Sequence, residues 1–146
     1  MNISVIVIGD ELLLGQVADT NSGFIARTIS PAGWKVTSVT TVGDNACDIR
    51  AAITDALSRT DIVLTTGGLG PTKDDITKEV LMSVFGGEPV ENRDVLENVK
   101  TICQRRNISL NELTARQSIV PSSCQVIMNR VGTAPLMWFE REGKVL

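Results

Sequence analysis

Thr65-Thr66-Gly67-Gly68-Leu69-Gly70-Pro71-Thr72-Lys73-Asp74-Asp75 decides how this 146-residue chain reads. Before it, Asp61-Ile62-Val63-Leu64 is a short apolar run of the kind that forms a buried strand. After it, Ile76 to Phe85 carries apolar residues at helical spacing. The chain therefore leaves a strand, passes Gly67, Gly68 and Gly70, and enters a helix. Glycines at such a junction let backbone N–H groups approach a ligand, and a helix N-terminus favours anions such as phosphate. The same loop ends in Asp74 and Asp75, two carboxylates that repel a bare phosphate. A bound cation resolves that conflict.

Outward from the loop, the chain alternates. Ile3-Ser4-Val5-Ile6-Val7-Ile8 is nearly all apolar and β-branched, the pattern of a strand covered on both faces. Phe24, Ile25, Ala26 and Ile29 mark a helix over 19–29, with Asp19 or Asn21 as its N-cap, and Pro31 and Gly33 end it. Val36, Val39 and Val42 among threonines give a second strand over 34–42. Ile49, Ala52, Ile53, Ala56 and Leu57 then predict an amphipathic helix. Strand, helix, strand, helix, strand, helix through residue 86 means βαβ units and a parallel sheet.

The second half continues with a helix from Asn92 to about Arg106 and a capping box, Ser109-Leu110-Asn111-Glu112, opening a short helix to about Ile119. Val126-Ile127-Met128 reads as a strand. Leu136 to Phe139 and Lys144-Val145-Leu146 read as two arms of a hairpin. An arm that stops after three residues predicts that the chain is a fragment of a longer protein, a single domain over 1–146 that is incomplete at its C-terminal end.

Bulk properties bound the function. A chain of this size buries roughly 68–70% of its unfolded surface, enough for a core. The net charge of −3 and the absence of a basic patch exclude a nucleic-acid binder that works by neutralising phosphates. No histidine is present, and Cys47, Cys103 and Cys124 are widely spaced. Cys/His zinc sites and His-based triads are thereby excluded. No secretory signal or membrane segment is read, and a reducing, cytoplasmic setting fits.

Ligands of parallel sheets bind beyond the carboxyl ends of the strands. Asp10 and Glu11 follow the first strand, Asp44 the second, and Asp74 and Asp75 the third, so all five acids are expected at one sheet edge with Gly67, Gly68, Gly70 and Thr72. Acids with Mg²⁺ or a similar hard ion bind phosphate, because the ion bridges both sets of oxygens. Without histidine, a carboxylate is the candidate general base. Each residue also has an ordinary structural reading. Thr72-x-x-Asp75 is a capping-box pattern, Asp44 could cap the following helix, Asp10 and Glu11 could form a solvated turn, and Gly67 and Gly68 could serve a tight turn. The loop is neither a Walker A loop nor GxGxxG.

Gly9-Asp10-Glu11-Leu12-Leu13-Leu14-Gly15, Asp19-Thr20-Asn21, Val42-Gly43-Asp44-Asn45 and Gly67 to Asp75 together resemble the N-terminal domain of the CinA competence/damage-inducible proteins. That domain is similar to the MoaB/MogA molybdopterin-binding fold. Asn129 with Val131-Gly132-Thr133-Ala134-Pro135 resembles a later motif of the same domain. The resemblance implies an α/β fold, a three-layer αβα sandwich with a mostly parallel central sheet. It implies a nucleotide or pterin bound at Gly67, Gly68, Gly70, Thr72, Asn129, Gly132 and Thr133. It further implies a divalent ion of the Mg²⁺ or Co²⁺ class among Asp10, Glu11, Asp44, Asp74 and Asp75, and ADP-ribose pyrophosphatase activity with Asp44 and Asp75 as catalytic acids. Molybdopterin binding or adenylylation is the alternative, and a non-catalytic ligand-binding module a third. The resemblance also implies a homo-oligomer. Arg130 and Leu136 depart from the family pattern, where proline and glycine are usual.

Overall fold

The computed structural model describes residues 1–70 and 76–146. Strand β1 (Asn2–Ile8) lies at the centre of a parallel core, with β2 (Lys35–Val42) on one side and β3 (Ile62–Gly67) on the other. Ile3 through Ile8 are all buried, as a strand covered on both faces requires. Beyond β3 come a short parallel strand, β9 (Lys144–Val145), registered Ile62 to Val145, and then β8 (Glu140–Arg141), antiparallel to β9. The sheet is thus mostly parallel with one antiparallel edge.

Three helices accompany it: α1 (Asp10–Leu13), α2 (Asn21–Ile29) and α3 (Ala46–Arg59). The apolar spacing of α3 is realised as a buried stripe of Ile49, Ile53 and Ala56 that packs on β1, β2 and β3. Ser4, a polar residue inside an otherwise apolar strand, is buried but satisfied. Its hydroxyl lies 2.8 Å from the Ser38 hydroxyl and accepts from Thr60 Oγ1 at 3.1 Å. Pairing of this kind is what allows a hydroxyl into a core.

The chain divides into two compact units, Met1–Gly68 with Glu140–Leu146, and Leu69–Phe139. The second holds α4 (Ile76–Phe85), β4 (Pro89–Glu91), α5 (Arg93–Arg105), α6 (Glu112–Ala115), β5 (Ile119–Pro121), β6 (Gln125–Ile127) and β7 (Leu136–Trp138). β4 pairs antiparallel with β5, and β6 with β7. Val95, Val99 and Cys103 of α5 are buried, with Val126 and Met128 packed against them. Each buried valine there contributes ~1.5–3 kcal/mol. Phe85 and Phe139 stack with centroids 4.7 Å apart.

Several expectations are corrected. The hairpin arms are β8 and β9, because Leu136–Trp138 pairs back to β6 instead. Ser109 caps nothing: α6 starts at Glu112, and Asn111 Oδ1 accepts from the Thr114 N–H at 2.8 Å. The segment read as running helical to Ile119 tightens into a 3-10 turn at Arg116–Ser118 and becomes β5, since pairing with β4 satisfies its backbone. At α2, Asp19 sits two residues before the first helical residue and accepts from the Ser22 N–H at 3.0 Å, while Thr20 occupies the cap position without a side-chain bond.

Candidate functional site

Parallel register brings the ends of three strands level. Ile8 pairs with Val42 on one side and with Gly67 on the other. The residues that follow β1 and β2 therefore leave the sheet at the edge where β3 ends, as the sequence predicts for Asp10, Glu11, Asp44 and Gly67. The Gly9 N–H donates to the Val42 carbonyl at 3.0 Å and prolongs the β1–β2 ladder by one step.

Asp10 and Asp44 then lock together. The Asp10 N–H donates to Asp44 Oδ2 at 3.0 Å, and the Asp44 N–H donates to Asp10 Oδ1 at 3.1 Å. Each carboxylate uses one oxygen on the other's backbone, so Asp10 Oδ2 and Asp44 Oδ1 are left over by this pair. Both residues are exposed. Gly43 makes the approach possible, because a Cβ there would lie 2.5 Å from Asp10 Oδ1. The helix-capping reading of Asp44 is overturned: Asn45 caps α3, its Oδ1 accepting from the Asp48 N–H at 2.9 Å. Asp44 is thus free of the duty that the bland reading assigned to it.

Gly67 is a glycine of necessity. Its φ is +86°, and a Cβ would stand 2.0 Å from the Ile8 carbonyl oxygen. Gly68 follows with φ +64°. The backbone thus turns off β3 through two consecutive positive-φ glycines. Glu11 is exposed in the first turn of α1, and its carbonyl accepts from the Gln16 N–H at 2.9 Å, closing the turn after the two acids.

One contact escaped sequence reasoning. Asn21, at the start of α2, donates from Nδ2 to Thr66 Oγ1 at 2.9 Å and ties that helix to the last turn of β3. The available signal was the polar pair Thr65-Thr66 inside an otherwise apolar strand. Asp19, two residues earlier, accepts from both the N–H and the hydroxyl of Ser22, and the hydroxyl bond above all holds its carboxyl below the ordinary value.

The remaining site candidates are of two kinds. Thr72, Asp74 and Asp75 fall outside the described residues. Gly70 belongs to the second unit, as do Asn129, Gly132 and Thr133. There Asn129 organises its own loop. Its Oδ1 accepts from the Val131 and Gly132 N–H groups, both at 3.1 Å, and its Nδ2 donates to the Ala134 carbonyl at 2.9 Å. A Cβ at Gly132 would fall 2.8 Å from Asn129 Nδ2, so the turn closes around the carboxamide. Among the described residues no three His, Cys, Asp or Glu side chains gather as a metal-ligand group.

Fold and edge define a class. The chain matches the model of the "Probable molybdopterin binding domain" over residues 4–146 and belongs to that family. Its relatives are CinA-like, as the motifs predict. It is similar to the CinA protein of unknown function from Thermoplasma acidophilum, with 34% identity and a TM-score of 0.83 over 99% of this chain and 84% of that one. A CinA-like protein of Cytophaga hutchinsonii is 43% identical over 141 residues, which is 97% of this chain and 34% of the relative. The chain thus spans about a third of the length of such relatives. The MoaB of Pyrococcus furiosus, described as a tungsten cofactor synthesizing protein, shares the fold at 18% identity, with a TM-score of 0.59 over 99% of this chain and 77% of that one.

Proposed function

We propose that this domain binds a nucleotide at the carboxyl edge of its sheet and hydrolyses the pyrophosphate of ADP-ribose with the help of a divalent ion. The observation that carries the reading is the Asp10–Asp44 pair, level with the glycine turn that ends β3. Two carboxylates, each with one oxygen that has no partner among the described residues, are the donor chemistry of a hard cation, which takes oxygen ligands and completes its shell with water. The residues therefore fit Mg²⁺ or Co²⁺, with Asp10 and Asp44 as ligands, Glu11 close by in sequence, and Asp74 and Asp75 as candidates for further ones. When bound, the ion neutralises phosphate charge and polarises the phosphoryl oxygens. The chain's own part is to hold Asp10 and Asp44 by each other's N–H groups, to offer the Gly67–Gly68 amides to phosphate oxygens, and to supply a carboxylate that orients the attacking water. Asp44 and Asp75 are the acids assigned to that work.

A second reading has a specific support, the description of the family model. Under it the same edge binds a pterin, molybdopterin, or transfers an adenylyl group to it. A regulatory module that binds without turnover is the third. Titration calorimetry with ADP-ribose and with molybdopterin, each with Mg²⁺ or Co²⁺, paired with a product assay, separates them. Release of AMP and ribose phosphate is expected; pterin binding alone, or nucleotide binding without products, overturns the leading reading. A cytoplasmic homo-oligomer is proposed with it. Among the described residues no helix is long and apolar enough to cross a membrane, and all three cysteines are free thiols.

A further inference from the structure

We infer that Gln117 is a positioning residue for the outgoing limb of the glycine loop. It lies in the 3-10 turn after α6, only 3% exposed, and its Nε2 donates to the Leu69 carbonyl at 2.8 Å. Leu69 stands between Gly68 and Gly70, so this bond holds a peptide of the loop by a side chain 48 residues away in sequence. The carboxamide has one orientation open to it, because turning it over would set Oε1 against the Leu69 carbonyl. In that orientation Oε1 is buried without a hydrogen-bond partner among the described residues. A buried acceptor left unpaired is costly, so a glutamine here costs more than an apolar residue of equal size unless its donor half is needed.

The backbone on either side of Gln117 is held as well. Lys78 of α4, 5% exposed, donates from Nζ to the Arg116 carbonyl at 3.3 Å and to the Ile119 carbonyl at 2.6 Å. The turn that carries Gln117 is therefore fixed to α4, and Gln117 passes that rigidity to Leu69. A side chain set this way does not touch a ligand; it limits where the loop's amides can point. The inference rests on the reading that this loop meets the ligand's phosphates only for its consequence in binding, not for the anchoring itself.

The test is hydrogen–deuterium exchange of the whole protein, followed on peptides covering residues 64–70, in Gln117→Met and Gln117→Glu. Methionine keeps the volume and removes the donor. Glutamate sets an oxygen against the carbonyl when ionised, but once protonated it donates again. We expect exchange in 64–70 to speed by about tenfold in Q117M while peptides of α3 and α5 stay within twofold, the mark of a local opening. In Q117E the same acceleration, corrected for intrinsic exchange, reverses as the pH is lowered and the carboxyl, which burial holds above the ordinary glutamate value, takes up its proton. Unchanged exchange in 64–70, a uniform rise across the chain, or no reversal in Q117E overturns the inference. ADP-ribose kinetics on the same variants give the consequence: KM rises about tenfold with kcat little changed, the pattern of lost uniform binding. Local loosening in a protein that does not turn over ADP-ribose sinks the proposed activity and leaves the anchor standing; turnover with an unaltered loop does the reverse.

Discussion

Asp10 and Asp44 each donate a backbone N–H to the other's carboxylate, at 3.0 and 3.1 Å. The exchange joins the residues that follow β1 and β2, 34 positions apart, into one rigid edge. It also brings two negative groups together, an arrangement that folding alone does not favour and that a cation would relieve.

Asn at position 44 separates structure from charge. Asp44→Asn keeps an oxygen to accept the Asp10 N–H but removes the negative charge, whereas Asp44→Ala removes both. Asp44→Asn is expected to leave stability within about 1 kcal/mol and Asp44→Ala to cost somewhat more, since a hydrogen bond to a charged group is worth ~1.5–3 kcal/mol and exposure lowers that. Both lose ADP-ribose hydrolysis by about 100-fold or more if the pair serves an ion. Chemical denaturation beside a turnover assay checks this, and full activity in Asp44→Asn removes Asp44 from the ion's ligands.

Gly67 admits no side chain. Gly67→Ala puts a Cβ 2.0 Å from the Ile8 carbonyl oxygen at a φ of +86°. The strand ends must part or the turn must change, at a cost of about 2 kcal/mol or more. Urea midpoints read the loss; an unchanged midpoint contradicts the close approach.

Ser22 governs the titration of Asp19. The Ser22 hydroxyl is the largest cause of the lowered Asp19 carboxyl, with two backbone N–H groups helping and burial opposing. A carboxyl whose folded value lies below its unfolded value stabilises above the unfolded value, near pH 3.9, and loses that contribution as pH falls through the folded one. Ser22→Ala is therefore expected to raise the Asp19 titration midpoint, seen by carboxyl carbon NMR, and to destabilise the protein at neutral pH more than at pH 2.

Thiol labelling should resolve the three cysteines. Cys47 is exposed, Cys103 buried and Cys124 half-buried. Burial pushes the Cys124 thiol up, against smaller downward pulls from a backbone hydrogen bond and the Lys78 charge. Reactivity follows the thiolate, so one fast thiol, Cys47, is expected at neutral pH, with Cys124 responding only above the ordinary thiol range. Peptide mapping after brief alkylation decides it; early modification of Cys124 refutes the assignment.

Local pattern carried most of the fold. The β-branched run at Ile3–Ile8 and the spacing of Ile49, Ile53 and Ala56 each bury one predictable surface, so β1 and α3 were legible residue by residue. Alternation of strands and helices was enough to make the sheet parallel. Asp10, Glu11, Asp44 and Gly67 then belong at one edge, because parallel strands end on the same side. Errors gathered where the partner is distant. Leu136–Trp138 pairs with β6, across the longer loop over 128–135, and not with the nearer segment after Phe139. Ser109-x-x-Glu112 had the form of a capping box, yet the cap is Asn111, two residues later, and the helix begins at Glu112.

The same division runs through the site. Residue types and chain order settled which chemistry is available: carboxylates and glycines at a strand edge, no histidine, no basic surface. Choosing among the roles of one carboxylate required its neighbours in space. Asp44 could cap α3 or face Asp10, and both choices fit its sequence equally. The register of Val42 with Ile8 put its amide within reach of Asp10, while Asn45 took the cap. Gln117 left no trace in any periodicity, because its partner is a backbone carbonyl, and every residue of the chain has one.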